Sequence, residues 1–150
     1  MGLPNELEHD LKQAVRGEVR FDVYSRALYS TDASIYRMEP LGVVIPRDRD
    51  DAIAALEIAR RHRVPIVPRG AGTGLAGQAI GRGVILDFSK YMNRVLEVNA
   101  EERRVRVEPG VVLDELNQHL RPSGLFFPPD PATASRCNVE IGRASCRERV

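Results

Sequence analysis

The chain has 150 residues, 43% hydrophobic and 29% charged, which is enough for one folded domain with a real core. Basic residues exceed acidic ones by one (22 against 21), aromatic residues make up 5% and tryptophan is absent, so neither a nucleic-acid-binding field nor a stacking platform for single strands is expected. No apolar run approaches the ~20 residues of a membrane helix, and Met1–Asp10 lacks the basic and apolar regions of a secretory signal.

Glu6 to Val15 reads as a helix, with Leu7, Leu11 and Val15 on one face and Asn5 placed to cap it. Gly17 to Glu39 reads as an irregular surface segment carrying Tyr24, Tyr29 and Tyr36, each with its ring packed and its hydroxyl in water. Gly42 to Pro46 is a short buried strand closed by proline. Asp50 or Asp51 then caps a helix reaching His62, whose core face contains Ile53, Leu56 and Ala59. Its end, Arg60-Arg-His-Arg63, suits the negative pole of the helix dipole, and His62 is expected to be solvated there.

Val64 to Val67 is the next strand, followed by a glycine-rich stretch and a strand at Val84 to Phe88. Asn93 to Val98 and Arg103 to Glu108 form a hairpin, the second strand alternating Val105 and Val107 with charged residues. Val112, Leu116 and Leu120 repeat at helical spacing, and Pro122 to Gly124 ends that helix. Leu125 to Phe127 reads as a last apolar strand, and Pro128-Pro-Asp-Pro131 as a stiff extended loop. Strands without alternating helices make the fold class α+β. Cys137 and Cys146 give neither a disulfide framework nor a metal spacing, so no metal ligands are assigned. The expected location is the cytoplasm, with peripheral attachment at the inner membrane as the alternative.

The chemistry concentrates in Pro68-Arg-Gly-Ala-Gly-Thr-Gly-Leu-Ala-Gly-Gln78, which holds four glycines within eight residues. Glycine lets the main chain approach a ligand closely, and successive N–H groups can form an anion-binding hollow. Arg69 adds a cationic fork at its mouth. Gly72 to Gly77 matches G-x-G-x-x-G literally, but the dinucleotide fingerprint needs a helix opening in the loop. Only six residues, Gln78 to Gly83, precede the next strand, too few for a crossover helix. No Gly-Lys-Ser/Thr follows, which excludes a P-loop. The loop is therefore expected to bind a pyrophosphate through its own backbone.

These residues resemble the pyrophosphate loop of the FAD-binding domain of vanillyl-alcohol-oxidase/PCMH-type flavoproteins. Tyr29-Ser-Thr-Asp-Ala-Ser-Ile-Tyr36, Pro40 with Val43-Val-Ile-Pro46, Val107-Glu-Pro-Gly-Val111 and Phe127-Pro-Pro-Asp-Pro-Ala-Thr-Ala-Ser-Arg-Cys137 match the same family in order and spacing. Within it the chain is similar to the D-2-hydroxyacid dehydrogenase branch: D-lactate dehydrogenase, the glycolate oxidase FAD subunit and D-2-hydroxyglutarate dehydrogenase. Arg26-Ala-Leu-Tyr29 and Ser135-Arg-Cys137 look most like the long members with an iron–sulfur domain.

The resemblance implies an incomplete PCMH-type domain: a lead-in at 1–39, a partial FAD domain at 40–139 that includes the first subdomain and the start of the second, and a foreign tail at 140–150. It implies that Pro68, Arg69, Gly70, Ala71, Gly72, Thr73 and Gly74 wrap the FAD pyrophosphate, continued by Gly77 and Gln78. Pro129, Asp130, Pro131, Ala134 and Ser135 would line the flavin side. Some relatives attach FAD through a histidine near the loop; none is present here, so FAD is expected to be non-covalent. His9, His62 and His119 fall on helices away from it. In the family the substrate lies under a later domain that supplies the carboxylate-binding and proton-accepting residues, so no catalytic residue is assigned. The partners implied are a small 2-hydroxy acid and an iron–sulfur domain or subunit as electron acceptor.

Glu140-Ile-Gly-Arg-Ala-Ser-Cys-Arg-Glu-Arg-Val150 departs from the family's paired glycine and matches the translation of a common short-read sequencing adapter. The expectation is that native sequence runs through Val139. The function expected is that of an N-terminal FAD-binding fragment of an oxidoreductase acting on a 2-hydroxy acid, inactive by itself. The alternatives are a non-catalytic flavin- or nucleotide-binding module, and a different oxidoreductase of the same fold. With half a domain missing, Val112, Leu116 and Leu120 are expected to lose partners and stay exposed.

Overall fold

The computed structural model describes residues 3–139, so the proposed tail at 140–150 lies outside the described residues. Helix α1 spans Leu3–Ala14 and is followed by strand β1, Glu18–Arg20, and helix α2, Val23–Leu28. Strand β2, Gly42–Ile45, leads into helix α3, Arg49–Arg61, and then into strands β3, Ile66–Arg69, and β4, Val84–Asp87. Strands β5, Val95–Asn99, and β6, Arg104–Val107, precede helix α4, Leu113–Leu120, and a 3-10 turn, Arg121–Ser123.

Strands β1 to β4 form one sheet in the order β1-β2-β4-β3. The inner pair is buried along its length because both faces are covered. Val44, Val84 and Leu86 face α1 and α3, packing with Leu7, Leu11, Val15, Ala52, Ala55 and Ile58. Val43, Ile45 and Ile85 point to the opposite face, under Tyr29, Val67 and Tyr91. Strand β1 runs antiparallel to β2, whereas β2 and β3 both run parallel to β4. Pro68 sits on the edge strand β3, where its missing N–H leaves no gap in the ladder.

The α1 face forms as the spacing predicts, but the helix begins at Leu3, which places Asn5 inside it rather than at its cap. Pro4 suits that first turn, which has no use for its N–H. The segment read as irregular contains β1 and α2, because its short apolar pieces are completed by long-range pairing: Val19 opposes Val44. Helix α3 is capped by Asp48, whose carboxylate accepts from the N–H groups of Asp50 and Asp51, both at 3.1 Å. Its buried face is Ala52, Ala55, Ile58 and Ala59, while Ile53 and Leu56 remain 41% and 47% exposed. Small residues let α1 and the sheet approach α3 closely, so the packed stripe is rotated from the one its bulkiest residues suggest. His62 is not simply solvated: its Nε2 meets Asp10 Oδ2 at 2.9 Å and ties α3 to α1.

A second unit combines the β5–β6 hairpin with α4. Val111, Leu116 and Leu120 are buried against Val95, Val98, Val105, Val107 and Leu125. The expected exposure of the α4 face is therefore wrong, because the hairpin covers it. Leu125 to Phe127 forms no strand. Asn117 occupies its main chain instead, accepting from Phe127 N–H at 2.7 Å and donating to the Phe127 carbonyl at 3.3 Å.

Candidate functional site

The parallel strands β3 and β4 end side by side, Arg69 in register with Asp87. The region beyond the carboxyl ends of such strands is where open parallel sheets bind ligands. The connection back to β4, residues 70–83, is a crossover made without a helix. It starts at the sheet's carboxyl end and returns to its amino end, where Gly83 accepts from Leu41 N–H at 2.9 Å.

Two glycines fix the path of this loop. Gly72 and Gly77 have φ of +69° and +75°, a region that disfavours side chains. A Cβ on Gly72 would lie 2.6 Å from Arg69 Nη2, and one on Gly77 would lie 2.8 Å from the Tyr36 ring. The backbone is therefore wrapped around side chains that need the space.

Arg69 has a different position from the open fork expected. Its Nη1 donates to the carbonyls of Thr31 and Ala79, at 2.9 and 3.1 Å, and its guanidinium lies 5.1 Å over the Tyr29 ring. It braces the two ends of the loop. Further braces come from 29–36: Ala33 N–H donates to the Gly72 carbonyl at 2.9 Å, and Asp32 accepts from Ala79 N–H at 3.4 Å. Gln78 folds back to accept from Ala76 N–H at 3.2 Å.

With its ends and the Gly72 carbonyl tied down, the loop leaves donors. Among the described residues, the N–H groups of Ala71, Gly72, Thr73, Gly74 and Leu75 donate to no protein acceptor. A row of such donors at the carboxyl end of a parallel sheet fits an acceptor-only anion such as a pyrophosphate. Beside them a cleft of about 240 Å³ is lined by Leu28, Tyr29, Arg69, Gly70, Ala71, Asp87 and Ser89. In its wall the Tyr29 hydroxyl donates to Asp87 Oδ2 at 2.6 Å, and Ser89 N–H donates to Asp87 Oδ1 at 2.8 Å. Burial, and then the neighbouring Asp87, push the Tyr29 phenol above its ordinary value, so it remains a donor.

Of the predicted site residues, Pro68 to Gln78 are brought together. Pro129, Asp130, Pro131, Ala134 and Ser135 lead instead to the amino end of α4. Val112 offers that end no side-chain cap, and the carbonyls of Ala134 and Cys137 accept from Asp114 and Leu113 N–H, both at 3.1 Å. This second group reaches the loop through Asn138. Asn138 donates to the Gly110 carbonyl at 2.6 Å and packs against Gly70, and its buried Oδ1 has no partner among the described residues. Sequence reasoning missed Asn138, Asp87 and the bracing role of Tyr29. The 29–36 motif upstream of the loop was the signal for Tyr29. A larger cleft of about 470 Å³ lies against α4, lined by Asp114, Asn117, Arg121 and Phe126.

The profile of the FAD binding domain matches residues 40–140, which includes the loop and both strands that carry it. The chain belongs to the FAD binding domain family. Among individual proteins it is 41% identical to D-2-hydroxyglutarate dehydrogenase of Pseudomonas putida over 139 residues, covering 91% of this chain and 14% of that protein. It is 40% identical to glycolate oxidase subunit GlcD of Bacillus subtilis over 124 residues, covering 79% and 26%. The chain thus spans a small part of the relatives it matches. In solved structures, an alkyldihydroxyacetonephosphate synthase superposes with a TM-score of 0.78 at 21% identity, over 90% of this chain and 30% of that one. p-Cresol methylhydroxylase does so with a TM-score of 0.70 at 20% identity, over 83% and 26%. These place the chain in the α+β fold of the family's FAD domains as a partial domain. Among the described residues no helix is long and apolar enough to cross a membrane.

Proposed function

We propose that the loop Pro68–Gln78 holds the pyrophosphate of a non-covalently bound FAD, and that the longer protein oxidises a 2-hydroxy acid. The observation that carries this reading is the row of amides from Ala71 to Leu75 without protein acceptors, at the carboxyl end of β3, in a chain of this family. These amides would donate to phosphate oxygens, while Arg69 keeps their spacing and adds positive charge close by. The absence of histidine from the loop favours non-covalent attachment. Pro129, Asp130, Pro131, Ala134 and Ser135 are proposed for the flavin side. When bound, the flavin supplies the two-electron acceptor for a hydride leaving the α-carbon of the hydroxy acid.

The substrate class rests on relatives named for D-2-hydroxyglutarate, glycolate and D-lactate. Residues that bind the substrate carboxylate and accept the hydroxyl proton are proposed to come from a later domain. An iron–sulfur domain or subunit is proposed as electron acceptor, following the similarity to the long members of the branch. Residues 140–150 are proposed to be foreign; resequencing genomic DNA tests this, and an intact frame through them would refute it.

Two measurements test the function. Titration of the 150-residue chain with FAD is expected to perturb the flavin absorbance saturably, and Arg69→Ala to weaken binding; an unperturbed spectrum with folded protein would refute the cofactor assignment. In the longer protein, anaerobic addition of D-2-hydroxyglutarate, D-lactate or glycolate is expected to bleach the flavin; no bleaching by any 2-hydroxy acid would refute the substrate class.

A further inference from the structure

We propose that Tyr29 is a positioning residue for the glycine loop, holding the end of β3 in the shape in which the loop amides face an anion. The ligand named in its test rests on the FAD reading above; the contacts do not. Tyr29 is half-buried and lies where three elements meet. Its hydroxyl donates to Asp87 Oδ2 at the end of β4, and Asp87 is 5% exposed. Its ring lies beneath the Arg69 guanidinium at the end of β3. The backbone that follows it receives Arg69 Nη1 at the Thr31 carbonyl and donates from Ala33 to the Gly72 carbonyl.

The chain from Tyr29 to Ala33 therefore holds the loop at its root and at its first left-handed glycine. A phenylalanine would preserve the ring under Arg69 but remove a donor from a buried carboxylate, which is left with Ser89 N–H. Asp87 is in register with Arg69, so the disturbance falls at the end of β3, where the loop begins. Tyr24, 88% exposed on the preceding helix α2, makes no comparable contact among the described residues and serves as the control.

The test is Tyr29→Phe in the full 150-residue chain, read by amide hydrogen exchange without ligand and by FAD fluorescence titration. The hydrogen-bonded amides of the loop and its brace, Ala33, Ala76 and Ala79, are expected to exchange about tenfold faster while those of β2 and β4 are unchanged, and FAD affinity is expected to fall about tenfold. Tyr24→Phe is expected to change neither. Unchanged loop exchange, or an increase spread equally over β2 and β4, would overturn the proposal. If Tyr29→Phe does not fold, Asp87→Asn, which keeps an acceptor for the hydroxyl but not its charge, is expected to accelerate loop exchange about threefold; no acceleration would overturn the proposal. If the wild-type chain binds no FAD, the cofactor reading fails, and the exchange comparison still decides the role of Tyr29.

Discussion

A carboxylate that is 2% exposed must be surrounded by donors, and Asp51 is. It accepts from Arg47 N–H at 3.0 Å, from Arg16 N–H at 3.1 Å and from Arg16 Nε at 3.3 Å. Burial works against its charge, but these donors prevail and hold its pKa below the usual aspartate range. Asp51→Ala would leave the backbone donors of Arg16 and Arg47 and the Arg16 guanidinium without their acceptor and is expected to cost about 3 kcal/mol in urea unfolding. A loss below about 1 kcal/mol would show that water replaces the carboxylate. Glu18 is the other informative acid. Lys90, then Tyr91, lower its pKa from the ordinary 4.5 to about 2. The folded value lies below the unfolded one, so the stabilisation is complete above about 4.5 and is lost as pH falls toward about 2. Urea unfolding at pH 6 and pH 3 is expected to show a larger loss for wild type than for Glu18→Gln; equal losses would contradict this. Neither role was legible in the sequence, where Asp51 reads as one of two possible caps. Its partner Arg16 is 35 positions away, and no local pattern announces such a pair.

At the scale of elements, periodicity located most helices and strands but not their partners, and it misplaced one face. The Leu7, Leu11, Val15 stripe was legible because large residues repeat on one face. In α3 the bulky Ile53 and Leu56 mislead, because alanines make the close contact. Leu125 to Phe127 reads as a strand from apolarity alone, and the Asn117 side chain bonds that divert it are invisible to periodicity. The β5–β6 hairpin with α4 is a local unit with its own apolar cluster. Leu116→Ala is expected to cost about 3 kcal/mol. Hydrogen exchange should place the faster amides in β5, β6 and α4, with β2 and β4 less affected. Equal acceleration of β2 and β4 would show that the two units unfold as one.

At the scale of the whole molecule, the sheet sets where the loop begins and the 29–36 segment sets its shape. The loop itself was legible, since four glycines beside an arginine have few structural uses and the missing helix excluded the nicotinamide pattern. Its bracing was not legible, because it joins Tyr29 to Asp87 across 58 positions and turns Arg69 inward. Gly77→Val would press a side chain into the Tyr36 ring at a φ of +75°, and is expected to weaken FAD binding at least tenfold by fluorescence titration. Binding equal to wild type would mean that this part of the loop does not form the site.

If the loop binds a pyrophosphate through its backbone, as proposed, the ligand's phosphates decide affinity. Equilibrium dialysis of the folded 150-residue chain against FAD and against riboflavin, which has the ring but no phosphate, tests this most directly. FAD is predicted to bind at one site per chain and riboflavin not to compete at the same concentration. Equal binding of the two, or no FAD bound by folded protein, would contradict it.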